Sequence, residues 1–486
     1  MSTRLRITRE AYSDLRSHLF RGDHDEHAAI LLAGVAARPN STRLLVREVH
    51  LLGANEFTPG IHGYRQLASS ALARLGARAH AERLALITCH SHPGAKDSVA
   101  LSKDDLAGHR RVFPHLLNIV SNGQPVGGIV LGGSSAGGEI WLDKNQRVRL
   151  DRVDVIGETL AALAPAPQPA NNQVGSRYDR QARVFGAQGQ QILRRMKVAV
   201  IGLGGGGSIV SEHLAHLGVG TILGIDFDRV ERHNLSRIVG AVSRDAKRRK
   251  KKVEVAKQLA TRVDRSVNFE AIDGDIADTA TAARVAECDF IFLCTDTMTS
   301  RLIANSIAQA HLIPMVQIGA KIDQPEGRIS SIYVAVRPSF PRHGCLACAG
   351  MIDPVGLQRE GATDAERAAQ NYLNLPDVID PSVITLNGVA ASVSTNLMLM
   401  AITGLAQPGN YAHRLFDARS GFWLTLEERR DPECLWCGES DRSRFARGDS
   451  ARLPVRLDMT KEPRRRLLSL SRWPRVSSLT RDRQLN

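Results

Sequence analysis

The sequence predicts two α/β domains on one chain, the second of them a doubly wound parallel sheet. Three observations carry this prediction. The chain has 486 residues, more than one core usually holds at roughly 100–200 residues per domain. Short apolar runs of strand length alternate with helix-compatible stretches along most of its length. A glycine loop, Gly202-Leu203-Gly204-Gly205-Gly206-Gly207, follows one such run, and parallel α/β sheets bind ligands at that kind of strand-to-helix turn.

In chain order, residues 28–34 (AAILLAG) and 84–89 (LALITC) read as strands, with helix-compatible segments at 65–82 and 103–113. These define a domain over residues 1–160. Residues 161–176 contain ALAPAPQPANNQVGS, whose prolines, asparagines and glycine show no apolar period, the composition of an extended linker. Such a linker holds two domains at high mutual effective concentration while leaving them free to reorient. From 177 to 440, the apolar runs Val198–Ile201, Thr221–Ile225, Phe269–Ile272, Phe290–Cys294 and Met315–Ile318 recur between helical stretches, which predicts the doubly wound sheet. Residues 441–486 are rich in Arg, Ser and Pro and read as a poorly ordered basic tail, within which RRRLLSLSRW is a candidate docking helix.

Composition excludes some classes of function. No stretch reaches the 18 or so uninterrupted apolar residues of a membrane span, and the start MSTRLRITRE lacks the apolar segment of a secretory signal. A cytoplasmic protein without a membrane partner is expected. The net charge of +14 raises the question of nucleic acid, but residues 440–486 hold 13 Lys/Arg against 5 Asp/Glu, so +8 of it sits in the tail. The run Lys247–Lys252 is not interleaved with aromatics, which make up 5% of the chain, and its first five residues read as a solvated loop rather than a nucleic-acid surface. Seven cysteines are too few and too unevenly spaced for a disulfide framework.

His90 and His92 lie two apart after an apolar strand, so an extended backbone points both imidazoles to one side, where they can share one Zn²⁺. Asp105 is the candidate third ligand, in the first turn of a helix capped by Ser102; the plainer alternative is that Ser102 and Asp105 form a capping box only. Glu26, His90-Ser91-His92-Pro93 and Ser102-Lys103-Asp104-Asp105 together resemble the JAB/MPN-type (JAMM) metalloproteases. That resemblance implies that His90, His92 and Asp105 bind a catalytic zinc, that Glu26 is the general base, and that Ser102 stabilises the oxyanion. The interval from His92 to Asp105 is about two residues longer than the family pattern, which leaves Asp104 as the alternative ligand.

The glycine loop by itself suits a dinucleotide dehydrogenase as well as an adenylating enzyme. The next strand leads into Asp226-Phe227-Asp228-Arg229-Val230-Glu231-Arg232-His233-Asn234-Leu235-Ser236-Arg237, which resembles the ThiF/MoeB and ubiquitin-activating enzyme family. Arg177-Tyr178-Asp179-Arg180-Gln181, Lys252-Val253-Glu254 and Cys294-Thr295-Asp296 match it as well, over residues 177–438. The resemblance implies a Rossmann-like domain in which Gly202, Gly204, Gly205, Gly207, Asp226 and Asp228 hold ATP, with Asp226 on the ribose. It further implies that Asn234, Arg237 and Lys252 contact the phosphates, that Asp296 positions Mg²⁺, and that Arg180 reaches a partner subunit across a homodimer. Several cations suit a reaction in which a carboxylate attacks an α-phosphate, since two anions meet.

Cys345-x-x-Cys348 and Cys434-x-x-Cys437 supply four thiolates, the ligand set of a closed structural Zn²⁺ site. Cys89, Cys288 and Cys294 remain, each in or beside an apolar strand, the default setting of a buried thiol. No cysteine lies between Cys348 and Cys434, which argues against a thioester step within this chain.

Taken together, the two resemblances imply a bacterial-type bifunctional enzyme using ATP, Mg²⁺ and two Zn²⁺, one catalytic and one structural. Its expected partner is a ubiquitin-like or sulfur-carrier protein ending in Gly-Gly, cleaved at and activated through its C-terminus, with a conjugating enzyme or sulfur donor downstream. Two alternatives stand beside this reading: adenylation of a peptide or sulfur carrier for cofactor or natural-product biosynthesis, and a non-catalytic scaffold for ubiquitin-like folds.

Overall fold

The computed structural model describes residues 2–456 apart from 24, 59–65, 168–174, 325–327, 362–380, 408, 410 and 428. The core of the expected linker and the candidate docking helix therefore lie outside the described residues.

The amino-terminal sheet contains β1 (Ser2–Thr8), β2 (Ala28–Arg38), β3 (Ser41–Leu51), β6 (Ala85–Ser91), β7 (Val126–Leu131), β8 (Ala136–Trp141), β9 (Arg147–Arg149), β10 (Arg152–Ile156) and β11 (Ala161–Leu163), in the order β11-β10-β1-β3-β2-β6-β7-β8-β9. A small hairpin, β4 (Phe57–Thr58) and β5 (Gln66–Leu67), stands apart. β2 reads as a continuous apolar run because both of its faces are covered. Ala29, Leu31 and Ala33 pack with α1 (Arg9–Leu19). Ile30 and Leu32, on the alternate face, pack with α2 (Ser69–Glu82) and α3 (Lys103–Val120).

The second sheet holds β12 (Lys197–Ile201), β13 (Thr221–Ile225), β14 (Asn268–Ile272), β15 (Phe290–Leu293), β16 (Met315–Asp323), β17 (Ser331–Ser339), β18 (His413–Asp417) and β19 (Phe422–Leu426). Its order is β14-β13-β12-β15-β16-β17-β18-β19. The first five strands are parallel, as expected. The last three form an antiparallel extension that the apolar pattern did not reveal. Between the strands run α4 (Asp179–Arg195, kinked at Gly186), α5 (Gly205–Leu217), α6 (Ser243–Lys247), α7 (Lys252–Val263), α8 (Thr279–Val285), α9 (Met298–Ala310), α10 (Pro354–Gly361) and α11 (Ile384–Thr403). The winding reverses at β12, with β13 on one side and β15 on the other, and this is where an open α/β sheet forms a ligand crevice. By length and composition α11 could cross a membrane, but here Ala391, Leu397, Met398 and Ala401 belong to the sheet's core and Ser394 and Thr395 are buried with them.

Two boundaries differ from the sequence reading. Residues 161–163, placed in the linker, are the edge strand β11 of the first sheet. Residues 441–456, placed in a poorly ordered tail, are packed between the two domains. Arg447 pairs with Glu82 at 2.5 Å, and the amide of Asp449 donates to the carbonyl of Val35.

Free reorientation of the domains is corrected by the same interface. Arg6 of β1, with its side chain 2% exposed, donates to Asp289 beside β15 at 2.8 Å, and Arg4 and Arg43 each reach the same carboxylate at 3.5 Å. Burial opposes the charge on Asp289, but these three guanidinium groups keep its pKa below the ordinary value. Removing Asp289 would take the closest carboxylate from the buried Arg6, and breaking a buried pair in this way costs about 3–5 kcal/mol. Charges spaced along a polar-looking β1 give no sign of this partner across the domain boundary, which is why composition suggested only a tether.

Candidate active sites

The first cluster is built where β2 and β6 run antiparallel with Ala28 opposite His90. That register carries Glu26, just before β2, alongside His92, just after β6. The Nε2 atoms of His90 and His92 are 3.3 Å apart. His90 Nε2 lies 3.4 Å from Asp105 Oδ1, and His92 Nε2 lies 3.7 Å from both Asp105 Oδ2 and Glu26 Oε1. A tetrahedral Zn²⁺ with bonds of about 2.0–2.1 Å has ligand edges of about 3.3–3.4 Å, so the donor set and its spacing fit that ion.

Asp105 meets both sequence readings at once. Its Oδ2 accepts from the amide and the hydroxyl of Ser102, each at 2.7 Å, and its amide donates to Ser102 Oγ at 3.1 Å, a complete capping box. Its Oδ1 meanwhile faces His90. Burial opposes ionisation of Asp105, but hydrogen bonds from His90 and Ser102 hold its pKa well below the usual carboxylate range. The hydroxyl of Ser102 is engaged by Asp105. Asp104 is exposed and lines the neighbouring cleft but is not in the ligand group. That cleft is walled by Phe57, Leu72, Val112 and Phe113.

The second cluster surrounds the glycine loop between β12 and α5. Gly202 has φ +87°, and a Cβ on Gly207 would come within 1.8 Å of the Gly202 carbonyl oxygen, so the loop folds tightly back on itself. The first amides of α5 therefore stand at the carboxyl end of the sheet, where a helix N-terminus favours an anion. Space around Gly204 is open. Asp226, at the end of β13 and 9% exposed, accepts from the amides of Leu203 at 2.7 Å and Asp228 at 2.8 Å, which ties the loop to the next strand. Burial raises its pKa despite Lys252 at 4.0 Å. Lys252, opening α7, places Nζ 2.6 Å from Asp228 Oδ2. Asn234 is buried and accepts from the Glu231 amide at 3.0 Å, and Arg237 passes 3.5 Å from where a Gly205 Cβ would lie.

Asp296 is exposed in the turn between β15 and α9, with Arg301 in its electrostatic reach. Arg180 is exposed on α4, and among the described residues no hydrogen bond or ion pair joins it to this cluster. Two side chains here went unforeseen. Asn387 of α11 sits over the loop, with Nδ2 2.3 Å from the position of a Gly205 Cβ. Glu360 of α10 accepts from the amides of Met298 and Thr299 at 2.7 and 2.8 Å, capping α9 beside Asp296. Neither belongs to a local motif, and a lone Asn or Glu in a helix carries no signal in sequence.

The cysteines form the third cluster. Sγ distances are 3.7 Å for Cys345–Cys348, 3.8 Å for Cys345–Cys434 and 3.4 Å for Cys348–Cys437. All four sulfurs lie within 4.8 Å of one another. A disulfide needs about 2.05 Å, whereas Zn–S bonds of about 2.3 Å give a tetrahedral edge of about 3.8 Å. The donor set fits a closed Zn²⁺ site. Of the other thiols, Cys89 and Cys288 are buried and Cys294 lies under the glycine loop. Burial pushes Cys288 up to about 12, the setting of an inert thiol.

The ThiF family model matches residues 178–436. The chain is 29% identical over 265 residues to the molybdopterin-synthase adenylyltransferase of Escherichia coli strain K12, covering 54% of this chain and 96% of that protein. It is 28% identical over 273 residues to the sulfur carrier protein ThiS adenylyltransferase of the same strain, covering 56% and 98%. Among solved structures, Escherichia coli MccB with ATP aligns at 22% identity and a TM-score of 0.43, covering 55% of this chain and 76% of that one.

Proposed function

The chain belongs to the ThiF family over residues 178–436, and from that premise we propose that it activates the C-terminal carboxylate of a peptide or small sulfur-carrier protein by adenylation, as a step in a biosynthetic route. The observation that carries this reading is the joined cluster of glycine loop, Asp226, Asp228 and Lys252 at the point where the sheet's winding reverses. The substrate carboxylate oxygen forms a bond to the α-phosphorus of ATP, the bond from that phosphorus to the bridging oxygen breaks, and pyrophosphate leaves. The amides opening α5 receive phosphate oxygens, and Lys252, released from Asp228, supplies a cation to the same region. Asp226 braces the loop from beneath and presents its carboxylate to the ribose. Asp296 is the residue to hold Mg²⁺, which when bound neutralises phosphate charge. Arg237 and Asn234 complete the polar wall, and a homodimer would bring Arg180 to the neighbouring site.

Pyrophosphate–ATP exchange with candidate carriers or peptides encoded beside this chain tests the reading. Exchange is expected, and Asp296→Ala should reduce it by several kcal/mol of transition-state stabilisation, on the order of 100-fold or more. Folded protein that exchanges with none of them would overturn the assignment.

A second reading concerns the first cluster, and the spacing of His90, His92 and Asp105 favours it. In this reading the amino-terminal domain is a zinc peptidase of the JAB/MPN type that trims a precursor or releases the carrier from a conjugate. The zinc, when bound, lowers the pKa of a coordinated water and polarises a carbonyl. Glu26, with Oε1 3.7 Å from His92 Nε2, would serve as the general base in this reading. Glu26→Ala should then stop activation of an extended precursor and leave activation of a pre-trimmed carrier unchanged. If that variant activates both forms equally, or the wild type never cuts a precursor, trimming is wrong.

A further inference from the structure

The four-cysteine centre leads directly into the segment that joins the two domains. After Cys437 the chain turns back on its own knuckle, with the amide of Gly438 donating to the carbonyl of Cys434 at 2.9 Å and that of Arg444 to Leu435 at 2.8 Å. It then leaves the adenylation domain as a strap. On one side, the amides of Ala446 and Gly448 donate to the carbonyls of Gln309 and Ala310, at the end of α9. On the other, Gly448 pairs with Val35 of β2 in a parallel bridge, and Asp449 donates to the Val35 carbonyl at 2.8 Å.

Side chains fix the register of this strap. Arg47 of β3 donates to the carbonyls of Phe445 at 2.6 Å and Ser440 at 2.9 Å, three residues beyond Cys437. Phe445 is 1% exposed in a small core shared by Ala36 and Leu45 of the first domain and Leu312 of the second. The fit is close enough that a Cβ on Gly34 would lie 2.1 Å from the Ala446 carbonyl oxygen. A segment with so little regular structure of its own depends on its anchors. One anchor is the knuckle, and the knuckle depends on whatever holds four thiolates within 4.8 Å of one another. Four such sulfurs repel one another once ionised, and a bound divalent cation compensates them.

We infer that the four-cysteine centre is a metal-dependent clasp between the two domains: with its ion bound it holds residues 440–456 in register against β2 and β3, and loss of the ion releases this strap before either sheet unfolds. The direct ties between the domains then remain: Arg4, Arg6 and Arg43 on Asp289, Arg43 on the carbonyls of Ala286 and Cys288, Arg38 with Glu287, and the amide of Leu160 on the carbonyl of Ala401. This role goes beyond stapling the adenylation fold and does not depend on which substrate is activated.

Hydrogen exchange on the full-length zinc-loaded protein, read by mass spectrometry, tests it. Metal content is followed in parallel while a chelator strong enough to strip the thiolate site is added. Amides of Ala446, Gly448 and Asp449 should exchange faster by on the order of 100-fold once that ion is lost, while those of β12, β13 and β15 keep their protection. Phe445→Ala, which leaves all four cysteines intact, should give the same local exchange with zinc still bound. Two results would overturn the clasp: strap amides that stay protected after confirmed loss of the ion, or strap and β12–β15 losing protection together, which would make the metal a staple of the whole domain. Unchanged strap exchange in Phe445→Ala would equally remove the shared core from the account.

Discussion

Replacing Gly207 by alanine sets two magnitudes against each other. Gly207 is the third residue of α5, and in an unencumbered helix the change from glycine to alanine is worth about 1 kcal/mol of stabilisation. Here the new methyl would sit 1.8 Å from the carbonyl oxygen of Gly202, whereas such carbons do not approach closer than 3.0 Å. The obstructing atom is backbone in a tight turn at φ +87°, so it cannot swing away as a side chain would. Helix and turn must instead separate by about 1 Å or more, and overpacking of this kind costs roughly 1–3 kcal/mol even where side chains can adjust. The clash wins. Because backbone cannot adjust, the upper end of that cost applies, and a net loss of about 2 kcal/mol in stability is expected, together with weaker nucleotide binding, since the amides of α5 move away from the loop. A misplacement of about 1 Å also lowers turnover on the order of 100-fold. Gly388→Ala in α11 provides the contrast, because nothing lies within 4 Å of its Cβ and the helical gain should appear alone. Urea unfolding and calorimetric ATP titration of both variants give the measurement. Wild-type stability and wild-type ATP affinity in Gly207→Ala would refute the claim that loop closure on the Gly202 carbonyl forms the phosphate cradle.

Further outcomes follow from the other two clusters. Protein purified without chelator should carry two zinc ions per chain, one exchanging readily from His90, His92 and Asp105 and one held firmly by the four thiolates, because only the former has an open position; a single tightly held ion would rule out the first site. Glu48 reports on acid stability. Burial opposes its charge, but hydrogen bonds from His50 and from Arg78, which also pairs with Asp441 of the strap, set its pKa at about 2 against an ordinary 4.5. Its folded pKa is the lower one, so its contribution is complete above pH 4.5 and is lost as pH falls towards 2. Glu48→Gln should flatten the unfolding profile across that window, and an unaltered acid limb would show that the pair contributes nothing there.

Local patterns in the sequence were enough to find the parallel core and most of the residues that cluster in the candidate sites. The runs at Val198–Ile201, Thr221–Ile225 and Phe290–Cys294 are buried on both faces, and such strands are legible because every residue must be apolar. The glycine loop and the Asp226–Arg237 segment are legible for another reason: a backbone that turns through φ +87° and a carboxylate that must meet two amides restrict residue type at fixed spacing. His90, His92 and Asp105 were likewise close enough in sequence to be grouped, and the cysteine pairs announced themselves by spacing.

Contacts made by residues far apart along the chain remained for the tertiary structure to decide. Asn387 reaches the glycine loop from the last helix, and Glu360 caps α9 across 61 residues, with no motif to mark either. That Asp105 rather than Asp104 stands beside His90 and His92 depended on which face of α3 turns towards β6. Most of all, a basic segment that looked like free tail became the strap between domains. Arginine and serine in a sequence look solvated because their charge and polarity suit water equally well. Only when Arg47, Glu82 and the carbonyls at the end of α9 are brought together does residues 440–456 have partners that compensate the entropy of ordering it.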